Sequence, residues 1–178
     1  LIDKNLQNNT YKVNFTGGEP LVQHESVSEL AKYIKSKGIF TYLESSCFDS
    51  QKFSYVLPSI DFVKIEFKTK DSEMVDTKHY TDLMKNTLEC LHASIEMKKI
   101  TYIKIVVSSK TELDNLKTLL EQIFKIASRE TISGFIIQPT YGVSEPSLEK
   151  LLEFYDLVYP YYRDVRVIPQ LQKIIDVP

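Results

Sequence analysis

Phe62-Val63-Lys64-Ile65-Glu66-Phe67-Lys68 alternates without a break between apolar and charged residues. A β-strand turns successive side chains to opposite faces of its sheet. As a strand, this stretch puts Val63, Ile65 and Phe67 on one face and Lys64, Glu66 and Lys68 on the other. An edge strand with a solvated charged face would read the same way. Other runs narrow that alternative, because few strands of one sheet can be edges. Lys104 interrupts the otherwise apolar run 102–107, Asn14 and Thr16 share a face opposite Val13 and Phe15, and Glu44 and Gln138 close two further runs. Leaving a neutral polar group buried and unpaired costs about 1–3 kcal/mol, and a charge costs more. A sheet face carrying several such groups is therefore expected to line a wet cavity that holds a ligand.

Strand-like runs rich in β-branched or aromatic residues occur at 11–15, 39–44, 62–68, 102–107, 135–138 and 165–168. Helical patterns separate most of them. A first helix is expected near Ser26, with Ser26 and Glu29 as a capping box, Val27, Leu30, Ala31 and Ile34 on its apolar face and Gly38 as its stop. A second carries Tyr80, Leu83, Met84, Leu88, Leu91 and Ile95. A third opens on a Ser109/Glu112 capping box and continues through Leu113, Leu116, Leu120, Ile123 and Ala127. A fourth opens at Pro146 and is expected to bury Leu148, Leu151, Leu152 and Tyr155. Between 39 and 62 only a short helical turn at 53–57 is drawn. Strands joined by helical crossovers run parallel, which makes the fold class α/β. An eight-unit barrel needs roughly 250 residues, so about five units fit here and the sheet is open or a partial barrel. No repeat or Gly/Ser linker divides residues 1–178, so one domain is expected.

Composition removes several function classes. Apolar residues make up 43% and charged residues 26%, which suits a globular chain. Lysine and arginine total 22 against 24 acids, for a net charge of −2, so no nucleic-acid partner is expected. No apolar run approaches the ~20 residues of a membrane span, and no membrane partner is expected. Two widely separated cysteines, Cys47 and Cys90, form no metal cluster by spacing and suit a reducing, cytoplasmic compartment. They read as a loop thiol and a buried helical thiol. His24, His79 and His92 are scattered, so no metal ligands are expected in this chain.

The chemistry concentrates in Thr16-Gly17-Gly18-Glu19-Pro20, directly after the first strand. Glycines at the C-terminal end of a strand let backbone approach a ligand or adopt positive φ. A phosphate loop would continue with Lys-Ser/Thr, which is missing here, and Glu19 would repel phosphate. Glycine carbonyls and a carboxylate suit an ammonium group. A tight strand–helix connection with no ligand is the plainer alternative.

Val13-Asn14-Phe15-Thr16-Gly17-Gly18-Glu19-Pro20-Leu21-Val22-Gln23 resembles the strand-plus-Gly-Gly-Glu-Pro segment of radical S-adenosylmethionine (radical SAM) enzymes. Gly38-Ile39, Glu44-Ser45-Ser46, Lys68, Lys104 and Gln138-Pro139 extend the resemblance along the chain. The tail Asp164-Val165-Arg166-Val167-Ile168-Pro169-Gln170-Leu171-Gln172-Lys173 is similar to that of 7-carboxy-7-deazaguanine synthases, with Gln172 where a Gln-x-His-Lys motif has His. The glycyl-radical-enzyme activating family shares the Gly-Gly-Glu-Pro-Leu loop and is the alternative.

The resemblance implies a partial (β/α)6 barrel lacking its first β/α unit, and hence a chain truncated at its N-terminus. It implies that Thr16, Gly17, Gly18 and Glu19 form the SAM loop, the last three at the methionine amino group. Ser45 and Ser46 would reach the ribose or carboxylate, Lys68 and Lys104 would meet SAM or substrate, and Gln138 would lie near adenine or substrate. It further implies a 4Fe-4S cluster whose cysteines lie outside this chain, since the fifteen residues before Thr16 hold none, with Mg2+ as a further ion to be sought. The implied reaction converts a tetrahydropterin to 7-carboxy-7-deazaguanine in queuosine- or archaeosine-type biosynthesis. The chain alone is expected to be inactive, and the strand 11–15, as an exposed edge, offers a route to a homodimer. Two readings remain beside it: a cluster-free aldolase-like barrel with a Schiff-base lysine, and a non-catalytic SAM-binding module.

Overall fold

The computed structural model describes residues 4, 6–71 and 77–171, Thr77 by its backbone only. Six strands form one sheet in the order β1 (Lys12–Phe15), β2 (Phe40–Ser45), β3 (Phe62–Lys68), β4 (Ile100–Val107), β5 (Gly134–Pro139) and β6 (Val165–Val167). Every pairing is parallel. The helices are α1 (His24–Ser36), α2 (Ser50–Val56), α3 (Thr77–Glu96), α4 (Leu113–Ile123) and α5 (Leu148–Val158). β1 and β6 each have one neighbour among the described residues.

The period-2 pattern of β3 divides the molecule into a dry side and a wet side. Val63, Ile65 and Phe67 are fully buried, as are Leu43, Ile103, Ile105, Phe135 and Ile137 on the neighbouring strands. They form one core with Phe53 and Val56 of α2, Leu91 of α3, Leu116, Leu120 and Ile123 of α4, and Phe154 and Val158 of α5. The helices therefore cover a single sheet face. The other face carries Glu44, Lys64, Glu66, Lys68 and Lys104, with Glu44 opposite Lys64 and Glu66 opposite Lys104 in the registers. No helix among the described residues is long and apolar enough to cross a membrane.

Helix ends follow the sequence where the signal is local. Gly38 adopts φ +76°, its N–H meets the Lys35 carbonyl at 2.9 Å, and Ile39 N–H reaches the Ile34 carbonyl at 3.4 Å. This is a Schellman stop. Both expected capping boxes fail. A 3₁₀ turn at Pro20–Gln23 carries the chain into α1, which therefore begins at His24 with Gln23 as N-cap and without a side-chain cap. The start of α4 is capped from outside: Asp71 Oδ2 accepts from Glu112 N–H at 2.6 Å and from Asn115 Nδ2 at 2.9 Å. Asp49 caps α2, accepting from Gln51 N–H and Lys52 N–H, and makes it longer than the expected turn.

α5 corrects a further expectation. Its first helical residue is Leu148, with Ser147 as N-cap, rather than Pro146, and Leu148 and Leu152 are 72% and 55% exposed. The packed face runs through Leu151 and Tyr155, as expected, and through Phe154 and Val158 in place of Leu148 and Leu152. Leu148 and Leu152 sit about 100° round the helix from it.

Candidate functional site

At the C-terminal ends of the strands the wet sheet face forms a cavity of about 760 Å³. All nine residues singled out in the sequence line it: Thr16, Gly17, Gly18, Glu19, Ser45, Ser46, Lys68, Lys104 and Gln138. Glu44, Lys64, Glu66, Val106 and Gln170 complete the wall. Parallel strands all end on the same side, so residues far apart in the chain converge there.

The floor is a chain of ion pairs. Lys104 Nζ lies 2.6 Å from Glu44 Oε1 and 2.5 Å from Glu66 Oε2. Lys64 Nζ takes the second oxygen of Glu44 at 2.7 Å, and Lys68 Nζ stands 3.5 Å from Glu66 Oε1. Lys104 is only 5% exposed. Burial opposes its charge, but Glu66 and Glu44 outweigh burial and hold the ammonium above the ordinary lysine range. Burial likewise works against the Glu44 carboxylate, and hydrogen bonds from Lys104 and Lys64 win and hold its pKa below the usual glutamate value. Lys104 is thus a protonated cation gripped on two sides. A Schiff-base nucleophile needs a free amine, so Lys104 does not fit the aldolase reading.

The loop after β1 is built on two left-handed glycines, Gly17 at φ +87° and Gly18 at φ +57°. A Cβ at either would meet no atom within 4 Å, so open space lies over both. Glu19 then turns back to extended backbone at φ −127°, and its carboxylate accepts four hydrogen bonds. Oε1 takes Leu21 N–H at 3.1 Å and Ser45 Oγ at 2.7 Å. Oε2 takes Ser46 N–H at 2.8 Å and Ser46 Oγ at 2.6 Å.

The far wall holds two amides, Gln138 of β5 and Gln170 beyond β6. Gln170 Oε1 is buried and has no hydrogen-bond partner among the described residues. Gln170 lines the cavity, but this oxygen is closed to solvent and meets a ligand only if the side chain turns. The sequence carried no marker for Gln170 beyond the tail resemblance. Gln172 and Lys173 of that tail lie outside the described residues. His24 stacks edge-on against Tyr55 at 5.4 Å and is not part of the cavity wall.

Cys47 and Cys90 are both fully buried. Burial, together with the neighbouring Cys90, pushes the Cys47 thiol well up. Among the described residues no three His, Cys, Asp or Glu side chains converge to hold a metal ion. These residues do not fit a cluster or Mg2+.

SAM is a different case. A cavity of this size suits a cofactor-sized molecule. Its wall presents three lysines and three glutamates, a balance that suits a ligand carrying both an ammonium and a carboxylate. The open space over Gly17 and Gly18 adds a backbone cradle.

Comparison with known proteins follows the same line. No protein-family model matches the chain. It is 28% identical over 176 residues to 7-carboxy-7-deazaguanine synthase from Methanocaldococcus jannaschii, covering 98% of this chain and 70% of that protein. It is 38% identical over 85 residues to the 4-hydroxyphenylacetate decarboxylase activating enzyme of Clostridium scatologenes, covering 46% of this chain and 27% of that one. The fold matches a radical SAM methyltransferase from Sphaerobacter thermophilus with a TM-score of 0.75, 11% identity, and coverage of 99% of this chain and 55% of that chain. The fold is thus like that of a solved radical SAM enzyme, and the sequence is similar to both of the enzymes named above. Over nearly its whole length it is similar to 7-carboxy-7-deazaguanine synthase.

Proposed function

We propose that the intact protein binds SAM in the cavity above β1–β5 and converts a tetrahydropterin to 7-carboxy-7-deazaguanine. The observation that carries this reading is similarity to 7-carboxy-7-deazaguanine synthase along 98% of the chain. When bound and reduced, SAM supplies a carbon radical, and the protein's task is to bind and orient. Gly17 and Gly18 would give the cofactor's amino-acid end a backbone cradle. Lys68 is the natural partner for a carboxylate, because it stands 3.5 Å from Glu66 whereas Lys104 is held tightly by two glutamates. Gln138 and Gln170 would meet ring N–H and C=O groups, each amide offering one acceptor and two donors. The Glu44–Lys104–Glu66 floor fixes the positions of Lys64 and Lys68 above the apolar core.

The test is anaerobic incubation of the cluster-loaded protein with SAM, a carboxylated tetrahydropterin and dithionite as the one-electron reductant, followed by mass spectrometry. The expected outcome is 7-carboxy-7-deazaguanine formed together with ammonia. The 38% local identity to an activating enzyme supports a second reading, in which the substrate is a glycyl radical enzyme. In that case the pterin is untouched, and a glycyl radical signal develops on a partner protein.

A further inference from the structure

We infer that Tyr80 is a positioning residue for Lys68: from the first turn of α3 it holds the end of β3, and so sets where the Lys68 ammonium stands in the cavity. The inference rests on the SAM-binding reading above and deepens it, by naming the group that places the carboxylate-binding lysine. The Tyr80 hydroxyl donates to the Lys68 carbonyl at 3.1 Å. Lys68 is the last residue of β3 and lines the cavity. Tyr80 is not among the residues of the cavity wall, so it acts through the residue it holds.

Lys68 differs from the other two cavity lysines in how it is held. Lys64 and Lys104 stand inside β3 and β4, and each has a carboxylate oxygen within 2.7 Å. Lys68 stands where its strand ends, with its Nζ 3.5 Å from Glu66 Oε1. A partly exposed ion pair of that length fixes a flexible side chain only weakly. The root of the side chain in the backbone therefore matters more. Other anchors act further along the chain. The buried Thr69 hydroxyl lies 3.5 Å from Thr111 Oγ1, which accepts from Ser108 N–H at 3.0 Å. Asp71 accepts from Glu112 and Asn115. These contacts tie the segment after β3 towards β4 and α4, whereas Tyr80 ties Lys68 itself to α3. The Tyr80 ring packs against the apolar core, which fixes the direction of its hydroxyl. Burial, with the nearby charge of Asp71, pushes the phenol up to about 12, so it stays a hydrogen-bond donor throughout the neutral range.

Two ligands separate positioning from a general brace: S-adenosylhomocysteine and its decarboxylated analogue, which keeps the adenosine and the amine but lacks the carboxylate. Both are titrated calorimetrically into wild type, Tyr80→Phe, Lys68→Met and the double variant, with a melting curve for each. The wild type is expected to prefer the carboxylated ligand. Tyr80→Phe is expected to weaken that ligand about fivefold, the scale of one lost hydrogen bond, and to change the analogue less than about twofold. In the Lys68→Met background, adding Tyr80→Phe is expected to cost less than about twofold, because the residue it positions is already gone. Equal weakening of both ligands, or an unchanged preference, would overturn the inference and leave Tyr80 a brace of the fold. A full fivefold loss persisting in the Lys68→Met background would overturn it too. If Tyr80→Phe does not fold, amide hydrogen exchange on the wild type decides. Greater protection of amides 81–84 with S-adenosylhomocysteine than with the analogue supports the link, and equal protection rejects it. A wild type that binds neither ligand would overturn the SAM reading and this inference with it. A wild type that binds both equally well leaves the SAM site standing and overturns the carboxylate role of Lys68, and with it the inference.

Discussion

Lys104 shows how single residues take their roles from neighbours that the chain brings from far away. Its side chain is 6% exposed, and its ammonium is closed off by Glu44 and Glu66. Replacing it with Met leaves two carboxylates facing each other. Removing one partner from a buried pair costs about 3–5 kcal/mol, and the partial exposure of the glutamates puts Lys104→Met nearer 2–3 kcal/mol. Urea unfolding at neutral pH measures this. The same network sets an acid limit. The Glu44 pKa is lowered in the fold, so its contribution is present above the unfolded value of about 4.3 and is lost as pH falls through the folded value. Wild-type urea midpoints are expected to drop below about pH 4.5, with a shallower slope in Glu44→Gln. The charged side chains of β3 were legible from alternation alone. Their pairing was not, because Glu44 and Lys104 are 60 positions apart and meet only through the register of three strands. The hydrogen bonds that Glu19 accepts from Ser45 and Ser46 were hidden likewise, since these serines stand 26 and 27 positions away.

Elements were read well where their signals lie inside them and poorly where another element supplies the cap. All six strands and the Gly38 stop follow local pattern. The start of α4 does not, because Asp71 arrives from the end of β3 to accept from Glu112 and Asn115. Hydrogen bonds from Asn115 and Glu112 overcome burial and hold the Asp71 pKa below the usual range. Asp71→Ala is expected to cost about 1 kcal/mol, the usual value of an N-cap, and Glu112→Ala much less. Thermal melts of the two variants compare them. α5 teaches a different lesson. Leu148, Leu151, Leu152, Phe154, Tyr155 and Val158 spread around more than one side of the helix at 100° per residue, so the pattern alone does not choose the buried stripe. With Phe154 fully buried and Leu152 exposed, Phe154→Ala is expected to cost about 3–5 kcal/mol. Leu152→Gln is expected to stay within about 0.5 kcal/mol. Equal losses would place the buried face where the sequence alone suggested.

The described residues form a parallel sheet with α1–α5 on one face and the charged side chains of β2–β4 on the other. Two sequence patterns account for this. Period-2 alternation in β3 marks the face that no helix covers among the described residues, and the Gly-Gly loop marks the strand ends where a ligand can approach backbone. Gln170 was not legible in this way, because its position depends on how the chain turns after the three-residue β6. The central claim is that this face and this loop form a SAM site. Gly18→Asn addresses it, because Asn tolerates left-handed backbone better than other side chains and its Cβ meets no protein atom. The substitution should leave the fold intact while filling space at the cavity. The direct measurement is calorimetric titration of SAM into the wild-type and Gly18→Asn proteins. The account predicts saturable one-to-one binding by the wild type and at least about tenfold weaker binding by the variant, with similar melting temperatures. Wild-type protein that takes up no SAM, or a variant that binds it equally well, would contradict it.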